Sequence, residues 1–196
     1  MKNRQLPNTL RGVTLIELVV SLAILVILLN IAIPSFRSAI ASSALKSATN
    51  DLVTSIAQTR STAIRVGRRA TMCRSENATQ CAVAGDWQVG WIIFSDLTRA
   101  GATANIDTGD TINFVYPAVA SDIKIMGAAG FTQYISFSPD GQGKTNTGAS
   151  LLGKIRVCST SSALTDATRA RDLVVNFSGR VVLETPSVAS NCPAPS

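Results

Sequence analysis

From Val13 to Ile33 the chain reads VTLIELVVSLAILVILLNIAI, twenty-one residues with one charge, Glu17. At about 1.5 Å per residue such a helix rises roughly 30 Å, enough to cross the hydrocarbon core of a bilayer. Pro34 is expected to end or kink that span. Apolar residues then return at three- and four-residue steps: Phe36, Ile40, Ala44, Leu45, Ala48, Leu52, Ile56, Ala63 and Ile64. Arg37, Lys46, Asn50, Asp51, Arg60 and Arg65 take the other side. This pattern predicts an amphipathic helix over 35–66, stopped at Gly67, with its apolar stripe against a C-terminal sheet. The two halves together would make a rod of roughly 80 Å.

Beyond Gly67 the period shortens. Apolar or alternating runs at 70–74, 88–95, 111–116, 122–126, 134–138, 154–158, 172–178 and 180–184 predict eight short strands. Gly-, Pro- and Asp-rich pieces separate them, among them Ala100-Gly101, Gly127 to Gly130 and Ser138-Pro139-Asp140-Gly141. Ile155 and Val157 should face inward, with Lys154 and Arg156 outward. Leu173, Val175 and Phe177 should share a core face, and Ser178-Gly179 should turn the last two strands. The expected class is α+β, a long helix followed by two small antiparallel sheets.

Composition narrows the function. Of 196 residues, 46% are hydrophobic and 15% charged, which excludes a disordered chain. The formal charge is +6, but Lys2, Arg4 and Arg11 precede any acidic residue; without them fifteen basic residues face twelve acidic ones, a balance of +3. That balance does not itself demand a nucleic-acid partner. There is no His, hence neither the commonest metal ligand nor the commonest general base. No Ser–Lys or carboxylate pair at a readable spacing nominates a catalytic centre, and no cofactor is expected.

Basic residues before the apolar run predict a cytoplasmic N-terminus and a head on the other side of the membrane. A cleaved secretory signal would have a shorter apolar stretch. A plain anchor would leave Glu17 unexplained, because a carboxylate at membrane depth costs about 2.5–3.5 kcal/mol on insertion scales. A third reading accounts for it. Arg11-Gly12-Val13-Thr14-Leu15-Ile16-Glu17-Leu18 resembles the signal of type IV prepilins and pseudopilins. The resemblance implies a leader, 1–12, cut by the prepilin peptidase between Gly12 and Val13, and N-methylation of Val13, where the family usually has Phe. It implies a transmembrane helix over 13–34, its continuation over 35–66 and a periplasmic head over 67–196. It also implies filament assembly through Glu17, which would neutralise a neighbour's new amino terminus. A local reading stands beside it, in which Glu17 favours the positive end of its own helix dipole.

Four cysteines, Cys73, Cys81, Cys158 and Cys192, lack the paired CxxC spacing of a zinc or redox site. An even count outside the cytoplasm favours disulfides. Proximity favours Cys73–Cys81 and Cys158–Cys192, with the other two connectivities formally open. DGQGKTNTGAS at 140–150 has a superficial phosphate-loop look, but Ser138 stands where the first Gly should be and no helical pattern follows. A surface hairpin is expected there.

Met72-Cys73-Arg74-Ser75, Cys81, Asp86-Trp87, Gly90-Trp91-Ile92-Ile93-Phe94 and Asp96 resemble the GspH/FimT family of minor pilins and pseudopilins. So do Ile155-Arg156-Val157-Cys158 and Leu173 through Val181. The resemblance implies a type IV pilin-like fold and a scarce subunit at or near a filament tip that helps to start assembly. The partners it implies are other pilins or pseudopilins, the prepilin peptidase, the inner-membrane assembly platform and membrane lipid. The disulfide-bonded head looks more like pilus members; pseudopilin H of type II secretion is the alternative. Some family members bind DNA through a GRxR-type element. Here Gly179-Arg180 is followed by Val181-Val182, which leaves Arg169, Arg171 and Arg180 as candidate contacts, with solvated charges as the favoured account.

Overall fold

The structure is a computed structural model that describes residues 12–98, 101–128 and 130–196. Residues 1–11 of the expected leader, with its cations Lys2, Arg4 and Arg11, and Ala100 and Ala129 of two expected turns, lie outside the described residues. One helix, α1 (Leu15–Val66), is followed by eight strands: β1 (Arg69–Arg74), β2 (Trp91–Asp96), β3 (Thr111–Tyr116), β4 (Ile123–Gly127), β5 (Tyr134–Phe137), β6 (Gly153–Ser159), β7 (Ala170–Val175) and β8 (Val181–Glu184). The chain divides into two units, residues 1–37 and Ser38–Ser196.

In the first unit, α1 carries an 18-residue window of mean hydropathy 2.8, none of it buried. Thr14 stands just before the helix, and its Oγ1 accepts the Glu17 amide at 3.3 Å, which occupies one of the orphan donors of the first turn. The helix does not end at Pro34, which lies inside it. An interior proline withholds its amide from the carbonyl four residues back, here Asn30, and its ring crowds that carbonyl, but the rest of the hydrogen-bond ladder carries the helix through.

In the second unit the helix has one covered face: Ala41, Leu45, Ala48, Leu52, Ile56 and Ala63 are buried. Ile40 and Ile64 are 67% and 50% exposed and lie off that face, contrary to the single stripe expected. Thr49, Ser55, Thr59 and Thr62 complete the covered face. Thr49, Ser55 and Thr59 donate to carbonyls one turn back, so they cross the core with satisfied hydroxyls. Gly67 ends the helix at φ +65°, a conformation that glycine adopts without strain.

The strands form two four-stranded antiparallel sheets, β3-β2-β1-β5 and β4-β6-β7-β8. The core joins helix residues Leu45, Leu52 and Ile56 to Met72, Ile93 and Ile135 of the first sheet and Ile125, Ile155, Val157 and Leu173 of the second. Trp91 stacks on Tyr116 with ring centroids 5.4 Å apart. Trp91 Nε1 donates to Ser55 Oγ at 2.8 Å, and the Tyr116 hydroxyl to Gln58 Oε1 at 2.7 Å, so both rings are tied to the helix.

Three further sequence expectations need correction. The run beginning at Gln88 opens as a short 3₁₀ turn, Trp87–Val89, and the strand starts at Trp91. Gly90 separates them at φ +105°, where a Cβ would lie 2.6 Å from the Tyr116 carbonyl oxygen. Phe177 is 54% exposed: β7 stops at Val175, and Asn176 already accepts the Arg180 amide through its side chain, turning the chain before Phe177 can face inward. Arg156 points away from Ile155 and Val157 but is itself buried, because the C-terminal tail covers it.

Candidate functional site

Two regions concentrate the functional chemistry, and they differ in kind. At the start of the first unit, Gly12 and Val13 are exposed and precede the helix, and a side chain at position 12 would meet nothing within 4 Å. Glu17 sits in the first helical turn and is exposed. It lines a shallow apolar groove with Val13, Ile16, Val20, Ser21 and Ile24. Among the described residues no basic group pairs with its carboxylate. An acid so placed is tolerable in lipid only with a partner or a proton.

The head presents its chemistry as internal bracing. Cys73 is bonded to Cys81 and Cys158 to Cys192, and among the described residues no cysteine is free. The first bridge closes a loop around Arg74, whose guanidinium donates to the carbonyls of Ala82, Val83, Gly85 and Thr132. Burial lowers the Arg74 pKa, with the Asp86 charge opposing. The second bridge pins the tail across β6, beside Met126, Ala170 and Val188. Under that tail Arg156 makes a fork to Asp172 at 2.7 and 2.8 Å, and its third nitrogen donates to the Pro193 carbonyl at 3.0 Å.

Asp96, at the end of β2, is 7% exposed. Its carboxylate accepts from Thr71 at 3.1 Å. Burial pushes its pKa up to about 6; the Thr71 bond and the Arg69 charge lower it, while Asp107 and Asp110 raise it. Arg69 beside it donates to Ser136 and to the carbonyls of Lys144 and Thr145. None of Arg156, Asp172, Arg69 or Asp96 stood out as a site in the sequence. Arg156 and Asp172 showed only as charges inside strand-like apolar runs, Arg69 and Asp96 as charges at the ends of such runs, and Arg156 and Asp96 also fell among the residues of the family resemblance.

The three candidate DNA contacts do not come together. Arg169 is 4% exposed, and its guanidinium is used up on Asp166 and the carbonyls of Ser159, Ser161 and Leu164. Arg171 donates to the Thr168 and Ala170 carbonyls at the start of β7. Register pairs Asp172 with Glu184 and Val175 with Val181, so Arg171 and Arg180 stand at opposite ends of the β7–β8 hairpin. The polar stretch at 140–150 is a hairpin closed by bridges Phe137–Gly143 and Lys144–Ser150 and leads into strand rather than helix, as a phosphate loop would not. Among the described residues no group of His, Cys, Asp and Glu could hold a metal.

A family model described as type II transport protein GspH matches residues 48–179. The chain belongs to the GspH family. It is a type IV minor pilin or a GspH pseudopilin, and the family is one of structural subunits rather than enzymes. The GspH match covers β1 to β7 and α1 from Ala48 onward; the apolar start of α1, which precedes it, fits the single-pass anchor of a pilin-like protein. Two crystal structures of the type IV minor pilin FimU of Pseudomonas aeruginosa (strain PAO1) are similar at 19% identity. One has a TM-score of 0.48 and covers 77% of this chain and 92% of its own; the other has 0.44, 76% and 96%. No curated protein matches.

Proposed function

We propose that this chain is a scarce minor pilin, at or near the tip of a type IV pilus, that helps to start filament assembly. The observation that carries this reading is Glu17, an exposed carboxylate one helical turn beyond the exposed Gly12–Val13 pair, on a helix whose apolar start has no cover of its own. In the proposed sequence of events the prepilin peptidase removes residues 1–12 on the cytoplasmic side. Val13 then becomes a methylated amino terminus, 13–34 spans the inner membrane and the head faces the periplasm. Each Glu17 offsets the amine of an adjoining subunit and sets its axial register, while the apolar helices of neighbouring pilins cover one another.

Mass spectrometry of the protein from cells tests the processing. A chain beginning at methyl-Val13 is expected; a start near Ser42 overturns the reading in favour of a simple exported protein. Deletion of the gene tests the machine. Loss of surface pili with intact secretion of exported hydrolases is expected. The reverse result would make the chain a pseudopilin of type II secretion, a reading that the description of the matching family model favours. A DNA-capturing role finds no support in Arg169, which is spent inside the head.

A further inference from the structure

We propose that Phe36 and Arg37 form a collar that holds the outer end of the N-terminal span at the phospholipid headgroups. Phe36 would sit among the glycerol and upper acyl groups, with the Arg37 guanidinium on the lipid phosphates. The proposal rests on the membrane-anchor reading above. The apolar run ends at Ile33, after a rise of about 30 Å, which is where hydrocarbon gives way to headgroup. Ile33, Phe36 and Arg37 stand at i, i+3 and i+4 and therefore share one helix face. That face is open: Ile33 is 48% and Phe36 70% exposed, and Arg37 is exposed as well.

Phe36 is the one aromatic residue of the described part of the first unit, and Arg37 its one cation. Among the described residues no carboxylate pairs with Arg37. The acidic residues nearest in sequence are Glu17 and Asp51, several turns away on either side. Within a turn of the end of an apolar span, an uncovered apolar ring can bury itself in the upper acyl region while the guanidinium beside it reaches the headgroup phosphates. An anionic leaflet would add long-range attraction for the cation. A neighbouring subunit's helix is the competing cover for the same face, and dilution in lipid separates the two.

The test uses the full-length chain, whose native cysteines are all bonded, with a spin label at Leu25→Cys, Phe36→Cys or Ser47→Cys. The host is a vesicle of about three parts phosphatidylcholine to one of phosphatidylglycerol. Collision with oxygen reports lipid, and collision with a nickel chelate reports water. Position 25 is expected in lipid and 47 in water. Position 36 is expected to lie between them, with roughly threefold less chelate access than 47, unchanged when the protein is diluted about tenfold in lipid.

Chelate access at 36 equal to that at 47, with 25 still in lipid, overturns the collar but leaves the anchor standing. Protection at 36 that vanishes on dilution also overturns it, in favour of a neighbouring helix. Chelate access at 25 overturns the anchor itself and the collar with it. The phosphate contact has its own arm: with the label at Ile33→Cys, Arg37→Glu should raise chelate access about twofold in anionic vesicles and less in phosphatidylcholine alone. No change in either lipid overturns it.

Discussion

The first unit and the head obey opposite rules. Every large apolar side chain from Val13 to Ile33 is about half exposed or more, and that stretch of the helix has no tertiary cover. The head leaves no buried side-chain nitrogen or oxygen unpartnered among the described residues and staples its loops with two disulfides. One region is finished by its own folding. The other is finished only by a solvent or a neighbour that accepts apolar surface and one carboxylate. On the function proposed above, the region that looks incomplete is the one assigned the assembly chemistry, while the region that looks complete holds a shape.

The contrast breaks most sharply at Glu17. Glu17→Ala should reduce incorporation into sheared filaments by roughly a hundredfold, because a neighbour's amine then enters lipid unpaired at about 2.5–3.5 kcal/mol. Head stability, read by denaturant unfolding in detergent, should not change. Incorporation equal to the parent would remove the distinction between the two regions.

In the head the largest loss should follow Asp172→Ala. It leaves Arg156 buried without its fork partner and should cost about 3–5 kcal/mol in the same unfolding experiment. An effect below about 1 kcal/mol would show that the tail admits water to Arg156. Replacing Cys158 and Cys192 together by Ser should cost about 2–4 kcal/mol, since the bridge closes a 34-residue separation. Trypsin cleavage should then move into the tail.

The smallest effect concerns pH. The Asp96 carboxyl is raised to about 6 in the folded head, chiefly by burial, so folding takes up a proton between its unfolded value near 4 and that figure. Its ionisation should remove roughly 2 kcal/mol as pH rises from about 4 to about 6, with no further change above. Asp96→Asn should flatten that part of the profile relative to the parent. A variant profile parallel to the parent from pH 4.5 to 7.5 would show Asp96 to be solvated.

How much of this was legible in the sequence depended on whether a local rule governs the residue. The helix, its stop at Gly67 and all eight strands were readable, because apolar period and turn residues act over a few positions. Phe177 was misread because alternation along β7 continues past the point where Asn176 turns the backbone. Gln88 was misread because a 3₁₀ turn and a strand start share the same apolar residues. Ile40 and Ile64 fit the helical spacing equally well, but spacing alone does not say where the covering sheet stops.

The amino-acid order alone determined the apolar span, the acid at its start and the Gly12–Val13 motif, since each is a property of neighbours in the chain. Only the tertiary structure decided which charges are buried. Arg169 reads like Arg180 in sequence, yet one is spent on three carbonyls and Asp166 while the other is exposed at a hairpin turn. Asp172 and Arg156 meet across two strands, under a tail brought there by Cys192. The reason is physical: a charge is fixed by its residue type, whereas its desolvation and its partners come from segments far away in the chain.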